Sequence, residues 1–188
     1  MSEARYFLVH GDSKTVTGAT LSEWSWLYKW YAEQQTGVGW GLVANLATGG
    51  WTVANAAAAI DAQLAALDAT PEPEIIMSNF GANDARSMPA EATYKANYLY
   101  MLDAFNTKYP NALVWIMDPW RRDEDADCIT LAAWNADIVA SRAFARKGPD
   151  EKVFLEAGDN GVTYTLDGAH PNTAGKELTA QQWISLTI

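Results

Sequence analysis

The sequence predicts an α/β fold in which a mostly five-stranded parallel sheet is covered by helices on both faces, in one domain over residues 1–188. Short β-branched or aromatic apolar runs alternate with longer stretches of helical period, which is the order of βαβ units. Capping and breaking residues fall at the junctions between the two kinds of segment. At 188 residues, the chain can bury a core without disulfides or a structural metal.

Taken in order, the strand candidates are Tyr6 to His10, Leu42 to Leu46, Ile75 to Asn79, Leu113 to Met117 and Val153 to Glu156. The helix candidates between and after them run from Leu21 to Gln35, Val53 to Leu67, Ala90 to Tyr109, Ile129 to Arg146 and Thr173 to Leu186. Thr52 and Thr173 can cap helix starts, Gly37 and Gly148 can follow helix ends, and Pro110 stops the helix before it. In such a sheet, ligands bind beyond the carboxyl ends of the strands, so the residues just after each strand are where chemistry is expected.

Bulk composition narrows the function classes. Apolar residues make up 49% of the chain but are spread along it, with no run long enough to span a bilayer, so a soluble protein without a membrane span is expected. A formal charge of −10, with no Lys/Arg stripe to offset it, argues against a nucleic-acid partner. The lone Cys128 permits no intrachain disulfide and reads as a small buried apolar side chain. The run from Met1 into the first strand lacks the basic flank and cleavage site of a signal peptide, leaving a cytoplasmic protein or one exported with a removed leader. The nine tryptophans are read first as core, and second as faces that stack on sugars.

The chemistry gathers at two places far apart in the chain. Gly11, Asp12 and Ser13 follow the first strand, where a sharp turn can present a serine hydroxyl to the crevice. Asp167 stands three residues before His170, a spacing that lets one turn of chain bring both side chains to the same side. There the aspartate can fix the imidazole tautomer and stabilise the imidazolium as the histidine takes up the serine proton. Gly49 and Gly50 offer unshielded backbone N–H groups and Asn83 a carboxamide, both suited to an oxyanion. His10, the other histidine, reads as the last residue of a strand.

These segments resemble the SGNH hydrolases, also called the GDSL esterases and lipases. Gly11, Asp12 and Ser13 match the first family block; Asn45, Gly50 and Thr52 match the spacing of the second, with Ala47 where a further glycine is usual; Gly81, Asn83 and Asp84 match the third; and Asp167 with His170 match the last. The resemblance implies a flavodoxin-like three-layer α/β/α sandwich and a triad of Ser13, His170 and Asp167. It further implies an oxyanion hole formed by the Ser13 and Gly50 N–H groups with the Asn83 side chain, and it calls for no cofactor.

Other signals are weaker. Gly37, Gly39 and Gly41 lie between a helix and a strand, the reverse of a dinucleotide loop. Asp123, Asp125 and Asp127 alternate like a calcium loop, but Cys128 and Trp134 stand where glycine and glutamate are needed, so no metal site is expected. Trp120 and Arg121 follow the fourth strand and are candidates for stacking on, and binding, the substrate. The expected function is hydrolysis of short-chain acyl or acetyl esters, with a carbohydrate ester among the substrates. The alternatives are acyl transfer through the same triad and a non-catalytic glycan-binding module on the same fold. Oligomeric state is left open.

Overall fold

The computed structural model describes residues 4–16, 24–67, 71–156 and 159–188. Its strands are β1 (Arg5–Gly11), β2 (Trp40–Asn45), β3 (Ile75–Asn79), β4 (Leu113–Asp118) and β5 (Ala145–Asp150). All neighbours pair in parallel, in the order β2-β1-β3-β4-β5. The helices are α1 (Trp24–Thr36), α2 (Val53–Ala65), the short α3 (Ala82–Ala85), α4 (Glu91–Lys108), α5 (Asp125–Ala140) and α6 (Thr173–Thr187). This is the five-stranded doubly wound arrangement whose ligand crevice opens where the strand order reverses, beyond β1 and β3.

Alternation along the central strands builds the two outer layers. Leu8, Ile76, Val114 and Ile116 face a core completed by Ile60 of α2, Tyr98 and Phe105 of α4, and Leu131 and Ile138 of α5. Phe7, Val9, Ile75, Met77 and Met117 face the other core, with Trp24 and Tyr28 of α1 and Trp183 and Ile184 of α6. Because both faces are covered, the strands read as unbroken apolar runs. Each fully buried side chain of this size contributes about 1.5–3 kcal/mol through removal from water. Trp24 and Trp183 stack with centroids 5.8 Å apart and join α1 to α6.

Helix starts are set by specific side chains. Thr52 caps α2 in a reciprocal box: the Asn55 N–H donates to Thr52 Oγ1 at 3.3 Å, and the Thr52 N–H donates to Asn55 Oδ1 at 3.1 Å. The expected cap at Thr173 lies one residue earlier, on Asn172, whose side chain accepts the Gly175 N–H at 3.0 Å. Of the expected first helix, Leu21 to Glu23 lie outside the described residues.

The C-terminal half departs most from the sequence reading. The last strand is Ala145–Asp150, and the expected strand Val153 to Glu156 is a π-helical turn that buries Phe154 and Leu155 and exposes Val153. An edge strand has one partner, β4, and tolerates Arg146, Lys147 and Pro149, which break the apolar run expected of a strand. Gly148 lies inside this strand and does not follow a helix; a Cβ there would approach the Ile116 carbonyl and the Trp183 ring at 2.9 Å. The helix expected over Ile129 to Arg146 runs instead from Asp125 to Ala140, with Asp125 and Asp127 in its first turn, where carboxylates favour the helix dipole. Cys128 is buried, as expected. Among the described residues no helix is long and apolar enough to cross a membrane.

Candidate active site

The residues at the carboxyl ends of β1, β2 and β3 form one tightly bonded platform. The Asp12 N–H donates to the Asn79 carbonyl at 3.1 Å, joining the turn to the end of β3. Asp12 Oδ1 accepts the Lys14 N–H at 3.0 Å, and the Asp12 carbonyl accepts the N–H groups of Thr15 and Val16. This closes the turn that carries Ser13. From β2, Asn45 donates through Nδ2 to the Thr15 carbonyl at 2.8 Å and accepts the Ala47 N–H at 2.9 Å. The Thr48 N–H donates to the Gly11 carbonyl at 3.0 Å, and a Cβ on Gly49 would lie 3.9 Å from that of Ser13, so the two loops run side by side.

Gly50 has φ +78°, a left-handed conformation that a side chain would strain. No backbone carbonyl among the described residues accepts the N–H of Ser13 or of Gly50. The Asn83 carboxamide donates to the Trp51 carbonyl at 3.0 Å and lies 3.5 Å from Asp12 Oδ2, which fixes its orientation. Ser13, Gly50 and Asn83 line one cleft of about 480 Å³. Next to Asn83, Asp84 accepts the Val53 N–H with both carboxylate oxygens, at 3.2 and 3.1 Å, and so ties the β3 loop to the first turn of α2. Burial pushes the Asp84 carboxyl up to about 6 against the pull of that N–H. Burial likewise pushes Asp12 up to about 6, opposed by the charge and backbone N–H of Lys14.

His170 reaches this platform from the opposite end of the chain. Its Nε2 is 2.9 Å from Ser13 Oγ, and its Nδ1 is 2.8 Å from Asp167 Oδ2. A proton on Nδ1, donated to the carboxylate, leaves Nε2 as acceptor for the serine hydroxyl. Asp167 Oδ1 accepts the backbone N–H groups of His170 at 2.8 Å and Ala169 at 3.0 Å, so the three-residue spacing is closed by main-chain bonds. Desolvation draws the Asp167 carboxyl upward, but the backbone N–H and ring of His170, with the Ala169 N–H, outweigh it and hold the group well below the usual carboxylate range. Thr165 Oγ1 accepts the Gly168 N–H and donates to the Gly161 carbonyl, anchoring the loop from within. Ser13 and His170 also line a second cleft of about 240 Å³ with Trp24, Leu166 and Pro171.

Of the two candidates after β4, only Arg121 stands at the site. Its guanidinium is part of the wall of the larger cleft and is paired with Asp123 at 2.8 and 3.0 Å. Trp120 is 0% exposed, and its ring lies against Gly161, so the expected stacking platform is a core side chain. His10 is buried between the rings of Phe80 and Phe105, and burial lowers its pKa to about 3, which keeps it neutral and away from the cleft. The sequence reading missed Arg86, which lines the larger cleft, and the buried partnership of Lys14 with Glu151. These two residues lie 137 positions apart, and the only local signal is a lysine placed directly beside the serine of a tight turn.

Comparison with known proteins agrees with this architecture. No curated protein sequence matches the chain. Among solved structures, an acetyl xylan esterase, AlAXEase, superposes with a TM-score of 0.80 at 16% identity, covering 97% of this chain and 100% of that one. A family 3 carbohydrate esterase of Clostridium thermocellum gives 0.74 at 16% identity, covering 97% and 94%. A member of the lipolytic protein G-D-S-L family from Veillonella parvula DSM 2008 gives 0.76 at 18% identity, covering 97% and 98%. At such identities the likeness speaks for the fold. Residues 9–178 match the GDSL-like Lipase/Acylhydrolase family, and the chain belongs to that family of hydrolases.

Proposed function

We propose that the protein is a serine carboxylic-ester hydrolase that works through an acyl-enzyme on short acyl esters, acetyl esters of carbohydrates foremost. The observation that carries this reading is the continuous relay Ser13 Oγ, His170 Nε2, His170 Nδ1, Asp167 Oδ2, with links of 2.9 and 2.8 Å. Ser13 Oγ attacks the ester carbonyl carbon while its proton passes to His170 Nε2, and Asp167 steadies the imidazolium. The N–H groups of Ser13 and Gly50 and the Asn83 carboxamide meet the negative oxygen as it forms. As the carbon–oxygen bond to the alcohol breaks, His170 returns its proton to the departing oxygen. Water then attacks the acyl-enzyme through the same histidine, releasing the acid and restoring the Ser13 hydroxyl.

The site dimensions favour small substrates. The serine stands between the clefts of about 240 and 480 Å³, the smaller suited to a short acyl group and the larger to the alcohol. Arg86 and Arg121 in the larger cleft offer donors to a hydroxylated alcohol. The acetyl xylan and carbohydrate esterases among the structural neighbours support the same substrate class.

The test is a series of p-nitrophenyl esters from acetate to decanoate, with acetylated xylan alongside, assayed with the wild type and Ser13→Ala. Activity that is greatest on acetate and lost in the variant is expected. Equal rates for the two proteins would remove Ser13 from the mechanism, and a preference for decanoate would overturn the short-acyl assignment.

A further inference from the structure

The residue after the proposed nucleophile is a buried lysine. The Lys14 side chain is 2% exposed and that of its partner Glu151 is 1% exposed. Lys14 Nζ donates to Glu151 Oε2 and to the Trp120 carbonyl, and the same Glu151 oxygen accepts the Trp120 N–H at 3.0 Å. One ion pair thus joins the loops that follow β1, β4 and β5. It lies at the carboxyl edge of the sheet, and Lys14 lines both clefts.

Stability alone is a poor reason for this arrangement. Desolvating two charges is costly, and apolar residues of similar volume serve a core at least as well. The pair is also incompletely satisfied: Glu151 Oε1 is buried without a donor among the described residues. What it does supply is fixation. The Lys14 backbone N–H is held by Asp12 Oδ1, and the far end of the side chain is held by Glu151 and Trp120. A residue tied at both ends cannot swing, and it fixes the peptide plane that links it to Ser13.

We propose that Lys14 and Glu151 are positioning residues that clamp the turn carrying Ser13 against the β4 and β5 loops, holding Oγ and the Ser13 N–H at their working angles. The proposal rests on the reading of Ser13 as nucleophile. The charged ends of the clamp are 2% and 1% exposed and act through the serine.

The decisive comparison is between Lys14→Met, Glu151→Gln and the double variant. Each single change leaves a buried charge or donor without its partner and lowers Tm. The double variant buries no charge and recovers part of the Tm lost in the single variants. Its kcat on p-nitrophenyl acetate nevertheless stays about tenfold to a hundredfold low, as expected when a reacting group is misplaced by a fraction of an ångström, with KM within about twofold. Wild-type kcat in the double variant would overturn the clamp and leave a plain core contact. Amide hydrogen exchange over residues 11–16 reads the clamp without reference to activity, in Glu151→Gln as well as in the double variant. Faster exchange is expected there, and unchanged protection would overturn the proposal. If Ser13→Ala hydrolyses esters as fast as the wild type, the nucleophile reading fails, and the exchange measurement still decides whether the clamp exists.

Discussion

The two halves of the proposed triad are built in opposite ways. Ser13 sits on a turn whose neighbours on both sides are buried and whose bonds reach β2, β3 and the loop after β4. Asp167 and His170 occupy a surface loop, with side chains 54% and 44% exposed. That loop is shaped mainly by its own bonds: Asp167 to the N–H groups of Ala169 and His170, Thr165 to Gly168, and the Leu166 N–H to the His170 carbonyl; one backbone bond from outside, the Arg122 N–H to the Gly168 carbonyl at 2.8 Å, ties it to the segment after β4. One half is held by the sheet and the other chiefly by local hydrogen bonding. Precision at the proposed nucleophile is inherited from the core, whereas precision at the proposed base rests mostly on a few short-range contacts that single substitutions can reach.

The largest expected effects do not distinguish the halves. Ser13→Ala and His170→Ala are each expected to lower kcat by about 10⁶-fold, because each removes a member without which the relay does not run. Asp167→Asn is expected to cost about 10⁴-fold, since it disturbs the tautomer and leaves the base in place. Steady-state kinetics on p-nitrophenyl acetate checks both, and equal losses for Asp167→Asn and His170→Ala would break the assignment of an orienting role to Asp167.

Asn83→Ala tests the sheet-held half, with an expected loss of about 10²–10³ in kcat and little change in KM. A loss confined to KM would move Asn83 from the oxyanion to ground-state binding. Thr165→Val tests the loop-held half, for it keeps the shape but deletes bonds to Gly168 and Gly161. The expected outcome is a loss of about 1–2 kcal/mol in stability by denaturant titration, with a several-fold fall in kcat. Unchanged kcat would show that the Asp167 contacts and the Arg122 N–H bond to the Gly168 carbonyl hold the His170 loop without Thr165.

The smallest effect concerns pH. Asp84 holds its proton more tightly in the folded chain than an ordinary carboxylate does, with its pKa near 6. It therefore favours folding at pH below about 4, and this advantage is lost as pH rises through about 6. Asp84→Asn is expected to flatten that part of the profile. Thermal melts of both proteins from pH 4 to 7 check the sign, and parallel profiles would contradict it.

The same contrast governs what could be read beforehand. The central strands were legible because burial on both faces writes itself as a continuous apolar run, as in Phe7 to Val9 and Ile75 to Met77. The spacing of Asp167 and His170 was legible because their contact is local. The edge strand Ala145–Asp150 was not, since one-sided pairing places no demand for apolar residues on Arg146 and Lys147. The inward turn of Trp120 and the pairing of Lys14 with Glu151 depend on which loops meet at the end of the sheet. No local pattern of residues encodes that meeting.

The edge strand has one more consequence. A sheet that ends in an unpaired ribbon invites a strand from another molecule to continue it. In β5, Pro149 has no amide hydrogen to offer such a strand, and the exposed Arg146 is a charge that any incoming copy would have to meet with its own, while Lys147 is neutralised by Asp118. Pro149 and Arg146, two of the residues that concealed this strand in the sequence, also make it a poor seed for sheet-to-sheet polymerisation.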